Sequence, residues 1–128
     1  MGVVIIEKQE DKPYVLMDDS DGRFILRGRS YPEDPYEFYS PFIQWVKQLP
    51  NKDISKLSVE IDVDYFNTSS FKMVFNLLFE IEQIHDSYGL DVTILWLYDF
   101  DSLDIKEAGE EIADIIKLPF DIKQLVEK

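Results

Sequence analysis

Leu57-Ser58-Val59-Glu60-Ile61-Asp62-Val63-Asp64 alternates apolar and polar residues without a break. A period of two belongs to a β-strand, so the aliphatic side chains share one face, and Ser58 and the three carboxylates share the other. A strand covered on both faces would be apolar throughout. This one fits a sheet with helices on one side and a partly open face on the other, where Glu60, Asp62 and Asp64 are expected to point to solvent.

On the C-terminal side, Ser70 to Tyr88 reads as a long helix closed by Gly89, and Asp91 to Tyr98 as an apolar strand rich in β-branched and aromatic residues. A third helix is expected from about Asp104 to Ile116, with Ile105, Ala108, Ile112, Ile115 and Ile116 toward the core, until Lys117-Leu118-Pro119-Phe120 breaks it. On the N-terminal side, Asp34-Pro35-Tyr36-Glu37 supplies an N-cap acid, proline at N1 and glutamate at N3. Phe38, Phe42, Trp45, Val46 and Leu49 follow at helical spacing, so a helix runs from about Pro35 to Leu49. Pro41 lacks an N–H and crowds the carbonyl of Glu37, which predicts a kink there or a true start at Ser40-Pro41.

Val3 to Ile6 is a short apolar run. Tyr14 to Met17, the turn-rich Asp18-Asp19-Ser20-Asp21-Gly22 and Arg23 to Arg27 form a β-hairpin. The aspartates of that loop resemble a calcium loop, but the downstream bidentate glutamate is missing, and turn chemistry is the better reading. The order is an N-terminal β-hairpin followed by βαβαβα. That is an α/β fold with a mixed sheet, parallel later strands, right-handed crossovers and helices mainly on one face. With no repeat and no Pro/Gly-rich linker, residues 1–128 are expected to be a single domain.

Thirteen basic residues stand against 26 acidic ones, a formal charge of −13 in 128 residues. Such a polyanion repels phosphate backbones and anionic headgroups, which speaks against nucleic-acid and membrane partners. At 45% hydrophobic and 14% aromatic residues, the chain can still bury a core. It has no cysteine, so disulfides, thiol nucleophiles and thiolate metal sites are excluded. Met1 to Ile6 lacks a basic region and is too short an apolar run for a signal peptide or a membrane span; a cytoplasmic protein is expected.

Ordinary catalysis is hard to assemble. His85, the single histidine, falls near the end of the long helix beside Glu82 and Asp86 with no hydroxyl nucleophile at a fixed spacing, and reads as a surface residue. The five glycines are scattered, so there is no phosphate-binding loop. Asp99, Asp101 and Asp104 follow the carboxyl end of a parallel strand, where three acids could hold Mg²⁺. The plainer reading is that Asp101, Ser102 or Asp104 caps the next helix and Glu107 favours its dipole.

Asn67-Thr68-Ser69-Ser70 is the most informative stretch. Three hydroxyls sit where a parallel strand meets a helix N-terminus, whose free N–H groups and positive dipole end would receive a phosphoryl group well. These residue types are also common N-caps. Phe71, Phe75 and Phe79, at i, i+4 and i+8, widen the apolar stripe of the long helix. They either lie under a neighbouring helix or form a partner surface beside the hydroxyls.

Gly28-Arg29-Ser30-Tyr31-Pro32-Glu33-Asp34-Pro35 with Phe38-Tyr39, then Asp64-Tyr65-Phe66-Asn67-Thr68-Ser69-Ser70 with Lys72, then Glu107-Ala108-Gly109 and Leu118-Pro119-Phe120, resemble the SiaC family of bacterial regulatory phosphoproteins. The resemblance spans nearly the whole chain. It implies a STAS-like fold related to anti-sigma-factor antagonists, with no enzymatic activity and no cofactor. It also implies partner switching in cyclic di-GMP signalling of the kind that controls biofilms. On this resemblance a dedicated kinase is expected to phosphorylate Thr68, which matches the family's Thr, with Ser69 and Ser70 as lesser candidates. A PPM-type phosphatase is expected to remove the phosphate, and the unmodified protein to bind and activate a diguanylate cyclase. The partner surface is expected at Asn67, Phe71, Lys72 and Phe75, with Tyr31 and Glu33 of the Ser-Tyr-Pro-Glu block; a homodimer is compatible with it. After Trp96-Leu97-Tyr98 the family usually has a denser acidic run than Asp99-Phe100-Asp101. Two other functions are compatible with the sequence: a STAS-type antagonist acting on an anti-sigma kinase, and a Mg²⁺-dependent phosphotransfer domain using Asp99, Asp101 and Asp104.

Overall fold

The alternating stretch forms the strand Lys56–Phe66, and the computed structural model, which describes residues 2–126, places it near the middle of a six-stranded sheet. In chain order the elements are β1 (Val3–Ile6), β2 (Tyr14–Asp18), β3 (Arg23–Ser30), α1 (Pro35–Gln48), β4 (Lys56–Phe66), α2 (Thr68–Tyr88), β5 (Asp91–Tyr98), α3 (Leu103–Ile115) and β6 (Phe120–Gln124), with a short 3-10 turn over Leu49–Asn51. The strands lie side by side in chain order. β1, β2 and β3 pair antiparallel, and β3 to β6 pair parallel.

Three successive crossovers in one direction leave all helices on one side. Leu57, Val59, Ile61 and Val63 of β4, with Val92, Ile94 and Trp96 of β5, are buried beneath them. Tyr39, Phe42 and Val46 of α1, Val74, Leu77, Leu78 and Ile81 of α2, and Ile105 and Ile112 of α3 complete this core. α3 approaches so closely that a Cβ on Gly109 would lie 2.6 Å from the Trp96 ring, and the Trp96 indole N–H donates to Ile105 O at 2.8 Å. No helix among the described residues is long and apolar enough to cross a membrane.

The sheet gains a strand at each end of the expected order. Val3–Ile6 pairs with β2, and Phe120, expected only to break the third helix, opens β6 beside β5. A five-residue edge strand carrying Asp121, Lys123 and Gln124 has too weak a period to stand out. α1 starts at Pro35 and runs through Pro41, so the alternative start at Ser40 falls. Pro41 is exposed, which lets water serve the orphaned Glu37 carbonyl. α2 begins two residues earlier than expected, at Thr68, and ends as expected on Gly89 at φ +74°, with His85 Nδ1 2.7 Å from Leu90 O. In the hairpin loop Asp18 Oδ1 accepts from the N–H groups of Ser20 and Asp21, as a turn aspartate does.

On the open face, Glu60 and Asp62 are half-buried because Arg27 bridges them, at 3.1 Å to Glu60 and 3.6 Å to Asp62. Desolvation pushes the Asp62 carboxyl above its ordinary value despite Arg27, and Asp64, Glu60 and Asp99 add to the rise. Asp64 is exposed, for a different reason. The β3–β4 register steps from Gly28 opposite Val63 to Arg29 opposite Tyr65, leaving Asp64 as a bulge. Two consecutive residues, Asp64 and Tyr65, therefore face out, and Phe66 turns to the helix side against Trp96.

Candidate functional site

That bulge sets the start of α2. Phe66 packs on Phe71, with ring centroids 5.5 Å apart, and Asn67 becomes the N-cap, its side chain accepting from Ser70 N at 2.9 Å. The three hydroxyls of the first turn then separate. Thr68 and Ser69 are exposed, whereas Ser70 is fully buried. Ser30 donates to Ser70 Oγ at 2.9 Å, which leaves the Tyr39 hydroxyl, 2.6 Å away, to donate to Ser30. Burial raises the Tyr39 phenol above its ordinary range. This buried chain ties β3, α1 and α2 together, so the Ser70 hydroxyl belongs to the core and is not accessible to a modifying enzyme. Ser30 and Tyr39 both lie in the quoted sequence blocks, but nothing in a local pattern says that two serines 40 residues apart share a hydrogen bond.

Thr68 opens onto a shallow groove of about 280 Å³ between the start of α2 and α3. Phe66, Phe71 and Ala108 give it an apolar floor, and Asp104, Glu107 and Glu111 an acidic wall. The wall was missed as part of the site because the acids come from α3, although Glu107 and Ala108 stand in one of the sequence blocks. The first turn of α2 contains no acidic residue of its own, so the carboxylates nearest its positive dipole end are those of α3 across the groove. Lys72, one turn along, is exposed.

The phenylalanine stripe divides. Phe71 and Phe75 are half-buried against the core, while Phe79, stacked on Phe75 at 6.3 Å, is 45% exposed. Tyr31 sits apart from the groove, edge-on to Tyr65 at 5.9 Å, with the Arg29 guanidinium over both rings. Glu33 is exposed near α1, beside a second groove that includes Asp34, Glu37 and Phe38. The structure thus brings Asn67, Thr68 and Phe71 together at one groove and places Tyr31 and Glu33 elsewhere.

The acids after β5 do not close into a cluster. Asp99 Oδ1 accepts from Phe100 N at 2.8 Å, and Ser102 takes the N-cap position of α3 without a side-chain hydrogen bond. The expected side-chain cap by Asp101, Ser102 or Asp104 is not formed, and Asp104 contributes as an acid in the first turn. Among the described residues no three carboxylates or histidines are grouped to hold a metal ion.

A family model described as SiaC family regulatory phosphoprotein matches residues 6–125. The chain belongs to the SiaC family. An uncharacterized protein of Pseudomonas aeruginosa strain UCBPP-PA14 is 31% identical over 114 residues, spanning 89% of this chain and 90% of that protein. The solved structure of SiaC of Pseudomonas aeruginosa superposes with a TM-score of 0.88 at 30% identity, covering 98% of this chain and 100% of that one. SiaC from the same organism, solved as the activator in complex with the diguanylate cyclase SiaD, gives 0.87 at 30% identity, over 95% and 99% of the two chains. The mixed α/β sheet with three helices is the SiaC architecture.

Proposed function

We propose that this chain is a non-enzymatic cytoplasmic regulator that, when unphosphorylated at Thr68, binds and activates a diguanylate cyclase. A kinase switches it off and a PPM-type phosphatase restores it. The observation that carries the reading is an exposed Thr68 at the first position of α2, on the rim of a groove floored by Phe66 and Phe71. Membership of a regulatory phosphoprotein family and the SiaC–SiaD complex favour a cyclase over an anti-sigma kinase as the target.

The physical argument has two parts. A phosphate adds about −1.5 to −2 charge, and the positive dipole end of α2, which has no acid in its own first turn, tolerates it, so the fold survives. A partner lying over Thr68 and the Phe71 side of the helix must then desolvate a dianion that faces Asp104, Glu107 and Glu111 and has only Lys72 within a turn. Burying a charge without a matched counter-ion costs several kcal/mol, and about 3 kcal/mol is already ~100-fold in affinity. Asn67, Phe71, Lys72 and Phe75 belong to the covered surface on this reading, and Tyr31 and Glu33 to its outlying part.

Titration calorimetry of the unmodified and the Thr68-phosphorylated protein against the cyclase, with cyclic di-GMP production read in parallel, tests the proposal. The phosphorylated form should bind about 100-fold more weakly or not at all, and Thr68→Ala should bind and activate like the unmodified protein. Equal affinities remove Thr68 from the mechanism.

A further inference from the structure

The two edges of the sheet are guarded differently. β6 carries Asp121 and Lys123, whose side chains lie 3.5 Å apart, and it follows Pro119. Charge and proline are what keep an edge strand from accepting another strand. β1, at the opposite edge, reads Val3-Val4-Ile5-Ile6, with no charge and no proline, and Val3, Val4 and Ile5 are 54%, 49% and 50% exposed. Gly2 fixes which way its backbone points: its N–H reaches Asp19 Oδ1 at 2.8 Å, and its carbonyl accepts from Asp19 N at 3.3 Å, both on the β2 side. Hydrogen-bonding direction alternates along a strand, so Val4 and Ile6 also face β2. The N–H and C=O groups of Val3 and Ile5 point to the free edge.

We infer that this edge pairs antiparallel with β1 of a second copy of the chain, about a two-fold axis through Val4. A two-fold normal to the sheet keeps both sets of helices on the same side, so only residues that share a face meet. Val4 then stands opposite Val4 of the other copy, and Val3 opposite its Ile5. This register uses the outward backbone groups: two hydrogen-bonded Val3–Ile5 pairs flank a non-hydrogen-bonded Val4 pair. Every cross-strand contact is between β-branched side chains, which suit a paired strand. No charged residue lies within the ladder, and Glu7 falls beyond it at either end. The charge of −13 on each copy acts at longer range and is screened by salt, so the pairing strengthens as ionic strength rises. The inference is independent of the Thr68 switch.

The absence of cysteine makes crosslinking a clean test. Val4→Cys sets two thiols in a directly opposed pair, with Cβ atoms ~4.5–5.5 Å apart, whereas Val3→Cys leaves them on a ~7–8 Å diagonal, beyond disulfide reach. Oxidation should give a covalent dimer with Val4→Cys and little or none with Val3→Cys. In sedimentation equilibrium the wild-type chain should associate more at about 500 mM than at about 50 mM NaCl, and Val4→Lys should be a monomer at both. Equal crosslinking of the two cysteine variants, a wild-type monomer at both salts, or a dimeric Val4→Lys overturns the inference. So does a monomeric wild type whose Val4→Lys variant loses affinity for the cyclase, since the edge then belongs to that partner.

Discussion

α2 and α3 start at the same end of the sheet, after the carboxyl ends of the adjacent parallel strands β4 and β5, yet their first turns are built differently. α2 opens with an Asn67 side-chain cap, two exposed hydroxyls and no acid. α3 opens with Ser102, which makes no side-chain cap, and with Asp104 in its first turn. Both helix ends offer free N–H groups and a positive dipole. Only α2 combines them with accessible hydroxyls and no resident carboxylate, so of the two it is suited to receive a dianion without losing its fold. The same added charge at α3 would join Asp104 within its own first turn.

The largest expected effect separates the two helix starts by function. Thr68→Glu should weaken cyclase binding toward the ~100-fold loss expected for a buried, unmatched charge, while Ser102→Glu should leave affinity within about threefold, as a rim charge does. Circular dichroism on both variants checks that the fold is kept. If both lose binding equally, the partner reads the whole acidic edge and α2 holds no special place.

The two helices are also anchored by different chemistry. α3 leans on Trp96 through Gly109, so Gly109→Ala overpacks that contact and should cost about 1–3 kcal/mol in urea unfolding. α2 is held at its start by the buried Tyr39–Ser30–Ser70 chain, and Ser70→Ala should cost about 1–2 kcal/mol by leaving the Ser30 hydroxyl short of an acceptor. The caps give a smaller contrast. Asn67→Ala should cost about 1 kcal/mol, and Ser102→Ala only a few tenths, because only Asn67 makes its bond.

How far such features can be read from sequence depends on whether they are local. β4 was legible because alternation is a property of the strand itself, and with the later strands it fixed one-sided helices. Gly89 was legible as a C-cap for the same reason. β6 was not, because its two core-facing residues, Phe120 and Ile122, are too few to set a period. At the site, Asn67 and the hydroxyls beside it were visible as a junction between strand and helix. The burial of Ser70 was not, since it depends on Ser30 and Tyr39, which reach it only through the β3–β4 pairing and the packing of α1 on α2. The acidic wall of the groove likewise comes from a helix 36 or more residues downstream of Thr68.

The smallest expected effect tests whether α3 acts on the switch across that groove. Glu107 lies beyond the first turn of α3, so Glu107→Gln removes a charge from the wall without touching the cap or its nearest dipole term. In the unmodified protein the change should be close to neutral, as surface substitutions usually are. In the Thr68-phosphorylated protein it relieves a like-charge contact, which between exposed groups is worth about 0.2–0.5 kcal/mol. Thermal unfolding of the phosphorylated pair at low ionic strength should therefore show Glu107→Gln slightly more stable than the parent. At about 1 M salt, where the Debye length is ~3 Å, the gain should vanish. A gain that persists at high salt would mean that packing in the groove is responsible, and a gain equally present without phosphate would mean that Glu107 opposes Asp104 and Glu111 instead of the modified Thr68. Either result separates the two helix starts energetically, leaving the switch to act through α2 alone.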